Sequence, residues 1–214
     1  MPEALTAADM LARTLAANGC KRAYGIPGGE VLAIMDAFDR AGIEFILVKH
    51  ENSGGFMAEG AWHADNHPPV LVATVGPGVA NAANVVANAM QDRVPMLFVT
   101  GCVDTAEAES YTHQVFDHRR MLDEITKASF TGTTATCGLI AQKAVSIALE
   151  PQMGPVHLDI PVSVAEAPST ETLTVGPAPI PVTPPIINDL FADACRLLQD
   201  AKNPIAITGV DAVN

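Results

Sequence analysis

Cysteine is scarce in this sequence. The four present, Cys20, Cys102, Cys137 and Cys195, lie far apart and form no C-x-x-C pair. That spacing argues against a disulfide framework and against a zinc knuckle, and it fits a reducing cytoplasm. Charge is thin as well: charged residues make up 17%, and Lys and Arg number 12 against 24 Asp and Glu. A formal net charge of −12 argues against a nucleic-acid or anionic-membrane surface. The acidic excess is scattered and reads as solubility. No stretch approaches the roughly 18 uninterrupted apolar residues of a membrane span. The N-terminal stretch MPEALTAADMLARTLAANG has no apolar core and no cleavage pattern, so it reads as an amphipathic helix and not as a signal peptide.

What is present is apolar material in an ordered alternation. Hydrophobic residues form 49% of the 214, enough to bury a substantial core and to fill one domain and part of another. KRAYGI reads as a strand, and EVLAIMDAFDRAG as a helix with Val31, Ile34, Met35 and Phe38 at helical spacing. EFILVKH is a continuous apolar run of the kind found in strands buried on both faces. The small-residue helix SGGFMAEGAWHADN, the strand PVLVATVG, the helix PGVANAANVVANAMQDR and the strand PMLFVTG follow. Pro77 sits near a helix start, where a missing N–H costs little. After an irregular stretch, ITKASF reads as an edge strand, GLIAQKAVSIALE as a helix and PVHLDIP as a closing strand. This order predicts an α/β fold: a doubly wound, mostly parallel sheet with helices on both faces.

From residue 163 the composition shifts to Pro, Thr, Ser and Ala, and helical periodicity disappears. The expected organisation is a ligand-binding domain over 1–165, an extended linker over 166–185, and the start of a truncated middle domain over 186–214. In the last segment IINDLFADACRLLQDAKN reads as a helix and PIAITG as a strand. That is too little to bury a core, so the sequence reads as a piece of a longer protein.

Open α/β sheets bind ligands outside the carboxyl ends of their strands. The informative loops are therefore GIPGGE, KHENSGG, TVGPGVAN and TGCVDT. Gly28, Gly29 and the run Gly76-Pro77-Gly78 are compatible with plain tight turns, or with backbone that must approach a ligand closely. The first loop is not G-x-G-x-x-G, and no Walker A pattern occurs. Glu51 is the residue that stands out. An acid just past a strand is favoured at a helix N-terminus with no further role. Flanked by loops stripped of bulk, it would instead be poorly solvated, hold a proton more readily than an exposed carboxylate and share it with a ligand nitrogen. HENSG is not H-E-x-x-H, so a metal at His50 is not expected. His113 and His118 flank Gln114 and Phe116 in a stretch that is either a polar surface loop or a flap over the strand ends. His63, His67 and His157 read as structural.

Taken in order, GIPGG, HE, GPGVAN, the VP-x-x-x-x-TG strand, the Gln that follows and GPVHLDIP resemble the thiamine-diphosphate enzymes of the acetolactate synthase type, in their N-terminal, pyrimidine-binding domain. The resemblance covers about residues 5 to 165. It implies that Glu51 hydrogen-bonds N1′ of the cofactor's aminopyrimidine. Sharing a proton there favours the 4′-imino form, which takes the C2 proton of the thiazolium ring and gives the ylide. It implies that Pro27, Gly28 and Gly29 lie against the pyrimidine, that Pro77 and Asn81 shape the pocket, and that Gln114 lies near the active site, with His113 beside it as a substrate-pocket candidate. His113, Val115 and Ala80 stand where such synthases carry Phe, Glu and Thr, which bears on the choice of acceptor substrate.

The resemblance implies Mg²⁺ too, held by a Gly-Asp-Gly segment of a C-terminal domain. No residue here matches that segment, and no metal ligand is assigned among these residues. FAD in the middle domain is a further option that the resemblance leaves open. The family's cofactor lies between two subunits, which implies a homodimer or tetramer. It also implies that this chain alone is inactive and binds thiamine diphosphate weakly or not at all. The implied substrate is a small 2-oxo acid, with condensation of pyruvate to acetolactate leading and branched-chain amino acid biosynthesis as the setting. Decarboxylation of 2-oxo acids, hydrolysis of cyclic diketones, a non-catalytic paralogue and a nucleotide-binding Rossmann domain are the alternatives.

Overall fold

A computed structural model describes residues 4–104, 110, 114–172, 174–179, 184 and 186–209. Among these residues, six strands form one parallel sheet: β1 Arg22–Gly25, β2 Glu44–Leu47, β3 Val70–Ala73, β4 Leu97–Cys102, β5 Ala128–Thr131 and β6 Val156–Pro161. Their spatial order is β2-β1-β3-β4-β6-β5, and every pairing is parallel. The expected doubly wound α/β fold is present.

Two apolar layers cover the sheet. On one face α1 Ala7–Ala17, α2 Leu32–Ala41 and α6 Cys137–Leu149 bury Leu11, Leu15, Ile34, Phe38 and Val145 against Val70, Val72, Leu97 and Leu158. On the other, α3 Glu51–Asp65 and α4 Pro77–Gln91 bury Trp62, Val79 and Val86 against Leu71, Ala73 and Phe98. The two central strands β3 and β4 serve both layers, which is why VLVA and LFVTG read as uninterrupted apolar runs. The helix signals are local. Thr6 and Asp9 form a capping box at the start of α1. Pro77 is the first residue of α4, where it forfeits no intrahelical bond. A short 3-10 turn, Gly29–Val31, precedes α2, which ends at Gly42 in the left-handed conformation.

Two expectations are corrected. EFILVKH is not a strand buried on both faces. β2 pairs only with β1, at the edge of the sheet, and Leu47 is 68% exposed. An apolar run reads the same in the middle of a sheet and at its edge, because strand order is set by tertiary packing. The stretch PIAITG, 204–209, forms no strand: a strand needs a neighbour to bond, and among the described residues it pairs with none. Helix α8 Asp189–Asp200 does form, with no buried residue. The described part of 166–185 lies along α1 and α6. Ser169 N–H donates to the Leu5 carbonyl, Thr170 N–H to that of Thr134, and Asn18 and Gln142 side chains bond the carbonyls of Gly176 and Pro177. Between this stretch and β6 lies the short helix α7 Val162–Glu166.

Candidate active site

The strand order reverses at β1. Its chain neighbour β2 lies on one side and β3 on the other, which makes the carboxyl ends of these strands the switch point of the sheet. Three segments converge on that crevice: the turn 26–29 after β1, the start of α3, and the turn 74–76 that enters α4.

Glu51 is the first residue of α3. His50 caps the helix in an extended conformation, its Nδ1 accepting from the Asn52 N–H at 3.2 Å. A carboxylate in the first helical turn is favoured by the unsatisfied N–H groups there. Such an acid ordinarily faces water, yet Glu51 is only 5% exposed. It is directed at α4. Asn81 Nδ2 donates to its Oε2 at 3.1 Å, and its Oε1 rests on Gly78, where a Cβ would stand 3.3 Å away. The other helix pairs extend this contact along α3 and α4. Asn84 donates to Asn52, and Asn88 donates to both carboxylate oxygens of Glu59 at 3.0 and 3.2 Å.

The rim on either side is made of close backbone approaches. Gly28 lies so near Thr74 that a Cβ would come within 2.8 Å of its methyl, whereas a Cβ on Gly29 would meet nothing within 4 Å. Thr74 donates to Glu30 Oε2 at 2.8 Å, which ties the first turn to the end of β3. Gly76 has φ +66° and ψ −108°, backbone that favours glycine. A Cβ there would meet the Gln114 carbonyl oxygen at 2.2 Å. Pro27 and Pro77 are both exposed at this rim.

The structure therefore brings together Gly28, Glu51, Gly78 and Asn81, with Pro27, Gly29 and Pro77 on the rim and Gln114 seated over Gly76. His113 lies outside the described residues. Glu30 and Thr74 do not stand out from the sequence as site residues, and Gly78 does so only as part of the turn Gly76-Pro77-Gly78. Glu30 sits directly after the glycine pair, and that adjacency was the available signal. His118 and His157 also changed standing. Both are buried in a polar chain, with Gly76 N–H donating to His118 Nε2 at 3.1 Å and His157 lying between Thr100 and Ser129 at 2.8 and 2.7 Å. His157 reads as structural from the sequence, which shows no partner for it. Its partners sit on neighbouring strands β4 and β5, far away in sequence.

Chemically, this is a rim with one withdrawn carboxylate, closely packed backbone at Gly28, Gly76 and Gly78, and open space only beside Gly29. Two hollows of about 420 Å³ lie elsewhere, one lined by Asp9, Arg13 and Arg40, the other by Cys102, His118 and Asp159, and Glu51 lines neither. A carboxylate beside bare glycine backbone suits a flat heteroaromatic ring with a basic nitrogen. Among the described residues no group of three or more His, Cys, Asp or Glu is placed to hold a metal ion.

Residues 5–121 match the family described as thiamine pyrophosphate enzyme, N-terminal TPP binding domain. Among curated relatives, the acetolactate synthase isozyme 1 large subunit of Escherichia coli is 29% identical over 211 residues, which cover 98% of this chain and 38% of the relative. The isozyme 3 large subunit of the same organism is 31% identical over 218 residues, 99% of this chain and 38% of the relative. A "probable 2-ketoarginine decarboxylase" of Pseudomonas aeruginosa is 30% identical over 214 residues, again 98% and 38%. The chain thus spans little more than a third of the length of these relatives.

Proposed function

Because the chain belongs to the thiamine pyrophosphate enzymes, we propose that it is the N-terminal, aminopyrimidine-binding part of an enzyme acting on 2-oxo acids, with acetolactate synthase-like carboligation of pyruvate as the leading reaction. The observation that carries this reading is Glu51, a buried acid at the switch point of a parallel sheet, set against glycine backbone and one amide. In this reading Glu51 shares a proton with the ring nitrogen N1′. Asn81 occupies one carboxylate oxygen and orients the group. Gly29 leaves open space for the ring, the close packing of Gly28 on Thr74 and of Gly78 on Glu51 sets the backbone the ring lies against, and Pro27 and Pro77 stiffen the turns that flank it. Gln114 borders the substrate, with His113 beside it. Thiamine diphosphate, when bound, supplies a nucleophilic carbon that adds to the carbonyl of a 2-oxo acid.

The whole protein is read as a cytoplasmic homodimer or tetramer, with Mg²⁺ and the diphosphate held outside this chain and FAD an option in a middle domain. The exposed Phe56 and Met57 on α3 support a subunit contact there. A second reading, 2-oxo acid decarboxylation, is favoured by the P. aeruginosa relative, which matches as closely as the synthases. His113, Val115 and Ala80, all departures from the synthase pattern, bear on the choice of acceptor substrate in either reading.

The test is Glu51→Gln in the full-length protein. Removing the acid should lower turnover of 2-oxo acids by at least about 100-fold while the protein stays folded. Undiminished turnover would reduce Glu51 to a helix-terminal acid and end the proposal. Product analysis with pyruvate alone, and then with a second 2-oxo acid acceptor, separates carboligation from decarboxylation.

A further inference from the structure

A continuous polar chain crosses the far half of the sheet and ends at the candidate site. Ser129 on edge strand β5 contacts His157 Nδ1 at 2.7 Å, and His157 Nε2 contacts Thr100 Oγ1 at 2.8 Å. Thr100 donates to Asp159 Oδ1 at 2.6 Å, and the same oxygen lies 3.0 Å from His118 Nδ1. His118, at the start of α5 His118–Leu122, is 3% exposed, and its other nitrogen receives the Gly76 N–H at 3.1 Å.

One hydrogen arrangement satisfies every member. A backbone N–H can only donate, so His118 Nε2 carries no hydrogen. The neutral ring then carries its hydrogen on Nδ1 and donates it to Asp159. Thr100 spends its own hydrogen on Asp159, so its oxygen accepts from His157 Nε2–H. His157 Nδ1 is thereby left to accept from Ser129. Burial pushes His157 down to about 4, which keeps the ring neutral as this arrangement needs. Burial alone would raise Asp159, but the His118 hydrogen bond, the neighbouring His157 and the Thr100 bond together hold it below the usual carboxylate range.

The end of the chain is a residue with no slack. The Gly76 carbonyl accepts the Ala80 N–H at 3.0 Å and so begins α4, its N–H is held by His118, and the Gln114 carbonyl fills the space beside its Cα. Two residues on, Gly78 supports one oxygen of Glu51. Five residues on, Asn81 bonds the other. The first turn of α4 is a rigid unit, so a rotation at Gly76 moves both contacts together.

We propose that His118 is a positioning residue which, by accepting the Gly76 N–H, seats the first turn of α4 so that Gly78 and Asn81 orient Glu51. This rests on the reading of Glu51 as the functional acid. A buried His–Asp pair with a purely structural role is the competing explanation, and two amide substitutions separate the two. His118→Gln places a carbonyl oxygen at the reach of Nε2 and keeps an acceptor for Gly76. His118→Asn places its amide at the reach of Nδ1, keeps the link to Asp159 and abandons Gly76.

The experiment measures amide hydrogen exchange at Gly76 and steady-state turnover per folded full-length protein. His118→Asn is expected to speed exchange at Gly76 at least about tenfold. It should also lower kcat by about 10- to 100-fold with substrate KM changed less than about threefold. His118→Gln should recover most of both. The inference is overturned if His118→Asn leaves Gly76 exchange unchanged, or if it leaves kcat unchanged while Glu51→Gln abolishes turnover. It is equally overturned if Gln is no better than Asn. Should Glu51→Gln itself retain turnover, the reading of the site fails instead, and the Gly76 exchange still decides whether His118 holds the turn.

Discussion

Oε1 of Glu51 rests on the bare Cα of Gly78: a Cβ at that position would stand 3.3 Å from the oxygen. The other neighbours of that Cβ, Ala73 and Thr74, would be at ordinary contact distances of 3.5 and 3.6 Å. Inside a helix, alanine is favoured over glycine by about 1 kcal/mol. Gly78→Ala should therefore leave the thermal midpoint unchanged or slightly raised. It should displace the Glu51 carboxylate by a few tenths of an ångström from the position that Gly78 and Asn81 give it. Thiamine diphosphate-dependent turnover of the full-length protein is expected to fall about 10- to 100-fold. A variant as active as the parent would show that nothing packs against this glycine.

Gly55 of α3 meets Val85 of α4 at a contact with no spare room, since a Cβ on Gly55 would lie 2.2 Å from a Val85 methyl carbon. Gly55→Ala should overpack the helix pair and cost about 1–3 kcal/mol. Val85→Ala should cost about 2 kcal/mol through the cavity it leaves. Together the two changes trade one methyl for two across the same contact. The double variant should melt above Gly55→Ala alone, with a favourable coupling of about 1 kcal/mol or more. Additive losses in thermal melts would count against the observed helix contact.

His157 links acid sensitivity to the polar chain. Its folded value of about 4 lies below the ordinary 6.5, with burial the cause. Between those values the unfolded chain binds a proton that the folded protein does not, so stability falls as pH drops from about 6.5 towards 4. The loss from this residue alone approaches about 3 kcal/mol. Asp159 adds to it at lower pH: its folded value is depressed, so the stability it contributes above the ordinary carboxylate range is lost as pH falls through that depressed value. His157→Gln should flatten the dependence between pH 6.5 and 4 when thermal midpoints are compared at pH 7 and pH 5. An unchanged slope would place the acid sensitivity elsewhere.

The legible part of this protein follows from local rules. The strand–helix alternation, Pro77 at a helix start and Glu51 as the odd acid are each set by a few neighbouring residues, and each is where the pattern places it. The edge position of β2 was not legible, because EFIL is equally apolar whether one strand or two flank it. His118, His157 and Asp159 were not joined on paper, because their contacts depend on β6 lying between β4 and β5, and neither spacing nor composition encodes that order. Asn84 and Asn88 had a signal that went unused: with Asn81 they recur at i, i+3 and i+7, one face of α4, directed at α3.

The stretch after β6 shows the same limit and supports a prediction of its own. Helix α6 has no side-chain cap from Thr136, the residue before it. Its first free N–H groups are capped from far along the chain: Glu171 accepts from Gly138 N–H at 2.8 Å and from Leu139 N–H at 2.6 Å. A carboxylate at a helix N-terminus combines two hydrogen bonds with a favourable dipole, together about 1–2 kcal/mol. Bonds from Ser169 Oγ and Thr170 N–H to the Thr134 carbonyl hold the residues just before Glu171 in place. Glu171→Ala should therefore lower the thermal midpoint and speed proteolytic cleavage within 167–179. Glu171→Gln, which keeps an acceptor and loses the charge, should fall between the two. Cleavage rates equal to the parent's would mean that this stretch is anchored by its other contacts, and that the Glu171 cap contributes little.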